Sequence, residues 1–162
     1  MIRSEKFSES DFDRLISWIH SEEELIQFSG LIFTYPLTHS QLLKYLSDEK
    51  RNSFKVIDST RGSVLGHAEI YYKDVHSAKL CRILIGEKSF RGNGLGTKLL
   101  NQLISMIRMN NQIKLIELNV YEHNFSAIRC YEKCGFKINP EISNEILVNG
   151  NVWKSINMIY KP

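Results

Sequence analysis

The sequence predicts an α+β fold, one sheet held between helices, and three stretches of the chain carry that prediction. Residues 52–58 and Val64–Tyr72 read as strands joined by the hairpin turn Ser59-Thr60-Arg61-Gly62, so the leading part of the sheet is antiparallel. Residues 78–85, a glycine-rich turn, a long amphipathic helix over about 94–110 and a strand over 113–121 form a strand-helix-strand unit. At the end, Asn149-Gly150 turns a strand that starts at Phe136 back into a last strand over 152–160.

The other elements follow in order. Residues 2–7 can form a first strand, and Ser10-Asp-Phe-Asp13 opens a helix whose apolar face is Phe12, Leu15, Ile16 and Ile19. Residues 22–28 continue as a short helix, and residues 30–36 are an irregular aromatic loop. Thr38-His-Ser-Gln41 is a capping box, and Leu42, Leu43, Tyr45 and Leu46 continue the helix it starts. In the long helix, Leu95, Leu99, Leu103 and Ile107 form one stripe with Leu100 and Ile104 beside it, a core-directed face. Asn124 caps a helix that runs to Cys134, Ala127, Ile128 and Tyr131 share one face of it, and Gly135 is suited to the left-handed position after its end.

Bulk properties bound the function. A chain of 162 residues suits a single domain over residues 1–162, burying roughly 70% of its unfolded surface. With 21 basic and 18 acidic residues the net charge is +3, and the positive side chains are dispersed, so nucleic acid is not an expected partner. No signal peptide and no apolar run of membrane-spanning length is evident, which predicts a soluble, cytoplasmic protein without a membrane partner. The three cysteines, Cys81, Cys130 and Cys134, read as reduced thiols. Cys130 and Cys134 with nearby His123 fall short of four ligands and contain no Cys-x-x-Cys pair, so no metal is expected.

The sharpest motif is Arg91-Gly92-Asn93-Gly94-Leu95-Gly96-Thr97. Closely spaced glycines allow close backbone approach to an anion, Arg91 adds charge, and the N-terminus of the following helix presents unpaired N–H groups with a favourable dipole. The spacing excludes two familiar phosphate loops. A Walker loop needs Gly-x-x-x-x-Gly-Lys-Ser/Thr, and a dinucleotide loop needs Gly-x-Gly-x-x-Gly, whereas this segment reads Gly-x-Gly-x-Gly. Arg91, Gly94 and Gly96 make an Arg-x-x-Gly-x-Gly pattern, which resembles the pyrophosphate loop of the GNAT superfamily, the acetyl-CoA-dependent N-acetyltransferases. A second segment, Asn124 through Ala127 and Tyr131 to Gly135-Phe136, is similar to that superfamily's Asn-x-x-Ala-x-x-x-Tyr-x-x-x-Gly-Phe pattern.

The resemblance implies a central, mostly antiparallel mixed sheet of six to seven strands with helices on both faces, splayed at an acetyl-CoA cleft. It implies transfer of an acetyl group from acetyl-CoA to a primary amine of a small molecule or of a peptide or protein N-terminus, in a monomer or homodimer. Pantetheine would pair along Ile83, Leu84 and Ile85, whose backbone N–H groups would also polarise the acetyl carbonyl. The loop from Arg91 through Thr97 would hold the pyrophosphate, and Asn124 would touch the CoA besides capping its helix. Tyr131 matches the tyrosine that protonates the departing thiolate, although an amphipathic core tyrosine would also fit its position.

The general base is not legible by resemblance. The strand before the glycine loop carries only Lys79 and Arg82 as charges, and Asn119 stands where some relatives place a glutamate. The remaining candidates are Glu69, the preferred one, and, two residues earlier on the same strand face, His67, either acting through a water, with an exposed strand carboxylate as the alternative for Glu69. The missing base leaves a second reading open, a CoA- or nucleotide-binding module without transferase activity. For the acceptor, Glu22, Glu23 and Glu24 with Phe28, Phe33, Tyr35 and Trp153 suit a cationic amine, while an acidic helix start explains the three glutamates equally well.

Overall fold

The computed structural model describes residues 1–162. Its strands are β1 (Ile2–Lys6), β2 (Arg51–Asp58), β3 (Val64–Tyr72), β4 (Ser77–Ile85), β5 (Leu115–Tyr121), β6 (Lys137–Val148) and β7 (Asn151–Tyr160). Its α-helices are α1 (Phe12–Ser17), α2 (Glu22–Ser29), α3 (His39–Leu46), α4 (Leu95–Arg108) and α5 (Phe125–Lys133). The seven strands form one sheet in the order β1-β2-β3-β4-β5-β7-β6. The β1–β2, β2–β3, β5–β7 and β6–β7 pairs are antiparallel and β4–β5 is parallel, so the expected mixed α+β architecture is present at its upper strand count.

The chain divides into two compact units, residues 1–71 with 81–95, and residues 72–80 with 96–162. The first unit is built on three short helices. Their apolar residues Phe12, Leu15, Leu25, Phe28 and Leu42 join Phe7, Phe33 and Tyr45 in one buried cluster, against which Trp18 and Leu84 pack. Short helices are marginal in isolation, so this burial supplies most of their stability. Caps then fix where they start. The Ser21 hydroxyl accepts from the Glu24 amide, and the Glu24 carboxylate accepts from the His20 amide at 2.8 Å. The Thr38 hydroxyl caps α3 as expected, but Gln41 does not complete the box. Its side chain accepts from the Thr34 amide at 2.8 Å and donates to the Thr34 and Pro36 carbonyls, pinning the preceding loop instead.

One boundary differs from the sequence expectation. The first helical turn is capped by Ser8 with Asp11, not by Ser10 with Asp13, and α1 ends before Ile19. Asp11 is buried and also takes Arg14 at 3.0 Å and Lys55 at 3.4 Å, partners that Asp13 lacks.

In the second unit, α4 buries Leu99, Leu100, Leu103, Ile104 and Ile107, the stripe expected from its period. Ile116, Leu118 and Val120 of β5 are buried in the same unit, as are Ala78, Leu80, Ile113, Phe136, Val148 and Met158. Gly135 takes a φ of 94°, as a helix-ending glycine should, and Asn149 and Gly150 take φ of 48° and 81° in the tight β6–β7 hairpin.

Candidate active site

In the first unit, Ile83, Leu84 and Ile85 are half-buried at the end of β4. The register of β4 with β5 extends only over Ser77, Ala78 and Lys79. Past Gly86 and a single 3-10 turn the chain enters the loop, where Arg91, Gly92, Asn93 and Gly94 are exposed. Gly92 and Gly94 have φ of 81° and 74°, and a Cβ at either would meet no atom within 4 Å. Glycine is therefore required there by backbone conformation rather than by crowding. The Arg91 Nε donates to the Ile85 carbonyl at 2.8 Å, which fixes the cation at the entrance of the loop.

Glu69 sits deeper in this unit. It is fully buried, and its carboxylate is saturated by the Arg82 guanidinium, by Arg51 Nη1 at 2.9 Å and by the Tyr45 hydroxyl. Burial alone would raise the Glu69 carboxyl, but hydrogen bonds and charge from Arg82, with Tyr45 and Arg51, outweigh it and hold the group below the ordinary carboxylate range. Burial, then the neighbouring carboxylate, push the Tyr45 phenol far up, so it remains a donor. Arg51 and Arg82 also lie over the Tyr45 ring, 5.3 and 5.5 Å from its centroid.

His67 is equally enclosed. Its Nδ1–H donates to the Arg82 carbonyl at 2.9 Å, and its buried Nε2 has no hydrogen-bond partner among the surrounding rings of Phe7, Phe28 and Tyr45. Burial pushes its pKa down to about 4, so the ring is neutral at pH 7. The expectation that Glu69 or His67 accepts a proton from an amine therefore meets an obstacle. Both side chains are enclosed, and the carboxylate is committed to two guanidiniums and a phenol. The alternative of an exposed strand carboxylate is excluded by the same burial. Phe28 and Phe33 likewise belong to the buried cluster of the first unit, 8% and 6% exposed. Tyr35 stays exposed at 46%.

In the second unit, Gly96 and Thr97 lie in the first turn of α4 beside α5. A Cβ on Gly96 would stand 3.2 Å from Cys130 Sγ, and the Thr97 hydroxyl is 3.4 Å from the same sulfur. The Cys134 thiol faces the Thr97 carbonyl at 3.9 Å. Sequence reasoning treated these cysteines only as reduced thiols. The structure makes them the packing between α5 and the turn that opens α4. Asn124 caps α5, its Oδ1 accepting from the Ala127 amide at 3.3 Å. Tyr131, on the same helix, is half-buried, with its ring 6.1 Å from that of Phe136. Asn119 lies with its amide 2.9 Å from that of Asn157. Trp153 forms an aromatic group with Tyr121 and His123, at centroid distances of 5.1 and 4.6 Å. No three His, Cys, Asp or Glu side chains converge as metal ligands, and no helix is long and apolar enough to cross a membrane.

Comparison with known proteins bears on the whole of this arrangement. Residues 12–136 match the model of the Acetyltransferase (GNAT) family, and the chain belongs to that family. A spermine/spermidine N(1)-acetyltransferase of Bacillus subtilis is 40% identical over 63 residues, 39% of this chain and 41% of that protein. An aminoglycoside N(6')-acetyltransferase type 1 of Klebsiella pneumoniae is 39% identical over 54 residues, 33% of this chain and 27% of that protein. The chain thus spans well under two thirds of the length of these relatives. Among solved structures, a spermidine N-acetyltransferase from Vibrio cholerae in complex with CoA and spermine superimposes with a TM-score of 0.81 at 19% identity, covering 99% of this chain and 95% of that one. An aminoglycoside acetyltransferase in complex with coenzyme A gives 0.75 at 20% identity, with the same coverage. At these identities the likeness concerns the fold.

Proposed function

We propose that the protein transfers the acetyl group of acetyl-CoA to a primary amine of a cationic small molecule. The observation that carries this is the family match over residues 12–136 together with Gly92 and Gly94 in left-handed backbone immediately ahead of a 14-residue helix. Backbone N–H groups at such a turn and helix start favour a pyrophosphate, and Arg91 adds a charge held in place by Ile85. The assigned cofactor contacts are the segment from Arg91 through Thr97, Asn124, and Ile83 to Ile85 for the pantetheine.

In the proposed reaction the neutral amine attacks the thioester carbonyl, a C–N bond forms, and the oxygen gains negative charge near the β4 amides. Collapse breaks the C–S bond, and Tyr131 donates a proton to the thiolate. The amine loses its extra proton to solvent. General-acid assistance of this kind is typically worth about 10²- to 10⁴-fold. The enclosed state of Glu69 and His67 favours an acceptor that arrives already deprotonated over one activated by β3.

Polyamines and aminoglycosides are the first acceptors to test, since relatives of both kinds match this chain. Glu22 and Glu23, exposed in the first turn of α2, suit such cations, whereas Glu24 is engaged in the cap. Thiol release from acetyl-CoA, measured against polyamines, aminoglycosides, and basic and acidic peptides, tests the proposal. Turnover restricted to cationic amines is expected. Tight acetyl-CoA binding with no thiol release for any amine supports the second reading, a binding module, which the absence of an available base on β3 keeps open.

A further inference from the structure

Arg82 adopts a φ of 47° inside β4, a left-handed conformation that costs a non-glycine residue about 1–3 kcal/mol unless its surroundings enforce it. Nothing in the local sequence Cys81-Arg82-Ile83 asks for it. The surroundings supply three constraints, all from β3. The His67 imidazole donates to the Arg82 carbonyl at 2.9 Å. The Glu69 carboxylate takes the Arg82 guanidinium through both Nε and Nη2. Gly66 leaves room where a Cβ would lie 2.1 Å from the Leu84 carbonyl oxygen.

The side chains of His67 and Glu69 share one strand face, and they hold the main chain and the side chain of the same residue. A planar guanidinium with two parallel bonds to a carboxylate is fixed in orientation as well as position. Tyr45 and Arg51 close the remaining valences of the carboxylate, so the fork has no competing arrangement. The peptide planes that leave Arg82 are those of Ile83 and its successors.

We propose that Gly66, His67 and Glu69 are positioning residues that lock Arg82 in its left-handed conformation and so aim the amides of Ile83, Leu84 and Ile85 at the reacting thioester carbonyl. The role assigned to those amides rests on the function proposed above. The role of the β3 residues in setting the β4 backbone does not. It also accounts for a buried, saturated carboxylate and a neutral buried histidine side by side on β3.

The test pairs Glu69→Met with Arg82→Gly. This removes both buried charges together and leaves a residue that tolerates the left-handed φ without being held in it. Amide resonances and hydrogen exchange of Ile83, Leu84 and Ile85 are measured in ligand-free protein, with acetyl-CoA affinity, kcat and KM alongside. The expected result is a folded protein whose three amides shift and exchange at least tenfold faster, with kcat down at least tenfold and acetyl-CoA bound more weakly in step with the lost pantetheine pairing. Should the double variant not fold, Glu69→Gln, which keeps shape and loses charge, gives the same readouts. Unchanged amide signals in a folded variant, or wild-type kcat, overturn the proposal. Absence of any acetyl-CoA-dependent turnover in the wild type would overturn the proposed function alone, and the ligand-free amide measurement would then decide the positioning role by itself.

Discussion

The Arg91 side chain donates to the carbonyl of Ile85, six residues earlier, so the only cation within the glycine loop is tethered to the last residue of β4. A charge on a long side chain normally wanders, and fixing it before a ligand arrives lowers the ordering cost of binding. The loop's glycines then set the backbone on which that charge acts.

Replacing Gly94 with Val places a β-branched residue at a φ of 74°. No atom blocks the new Cβ, so the penalty is conformational, about 1–3 kcal/mol, and the loop escapes it by changing shape. Acetyl-CoA affinity measured by calorimetry should fall at least tenfold while the melting temperature changes little. Unchanged affinity in a folded variant would discard the loop as the pyrophosphate site.

Tyr131→Phe retains the half-buried ring and its edge contact with Phe136 but deletes the phenolic proton. If that proton reaches the leaving thiolate, kcat should drop by about 10²-fold or more with acetyl-CoA affinity nearly constant. Wild-type turnover would leave Tyr131 a packing residue.

Gly86→Ala would put a Cβ 2.1 Å from two atoms of the Trp18 ring, and overpacking of this kind costs about 1–3 kcal/mol. Thermal denaturation should show the loss. Adding Trp18→Leu should return part of it, a coupling that independent sites would not give.

His67 gives a pH signature. Its pKa is pushed from an ordinary 6.5 down to about 4 in the folded state, so between those values the unfolded chain binds a proton that the folded chain refuses. Stability is therefore unaffected by this group above 6.5 and declines as pH falls from 6.5 toward 4, by about 3 kcal/mol in all. The lowered Glu69 carboxyl adds its own loss only further down, below its ordinary 4.5. Denaturant unfolding at a series of pH values should show the decline, and His67→Gln should flatten it between pH 6.5 and 4. A wild-type stability independent of pH in that range would contradict the neutral, enclosed imidazole.

Much of this molecule is written locally. Gly135, Asn149 and Gly150 announce left-handed backbone by residue type, and the stripe of α4 follows from a period of leucines and isoleucines. The start of the first helix was ambiguous because Ser8 with Asp11 and Ser10 with Asp13 make the same pattern. The choice falls to Lys55, 44 residues beyond Asp11 and on another element. Backbone conformation was legible where it is made by glycines, and side-chain environment was illegible where it is made by distant partners. Glu69 read as a general base or an exposed carboxylate, never as a buried ion-pair centre, because its two arginines and its tyrosine lie 13, 18 and 24 residues away. That Phe28 and Phe33 are interior was equally hidden, because only the packing of three short helices reveals it.

Gly66 beneath the Leu84 carbonyl has a practical corollary for protein engineering. If β3 holds the shape of β4 as proposed, Ile83 to Ile85 is not a portable cassette. Grafting that tripeptide into another scaffold should transfer its side chains without its geometry. A transplantable module would need Gly66 through Glu69 on one strand and Arg82 through Gly86 on the other, together with Tyr45 and Arg51, which complete the Glu69 carboxylate.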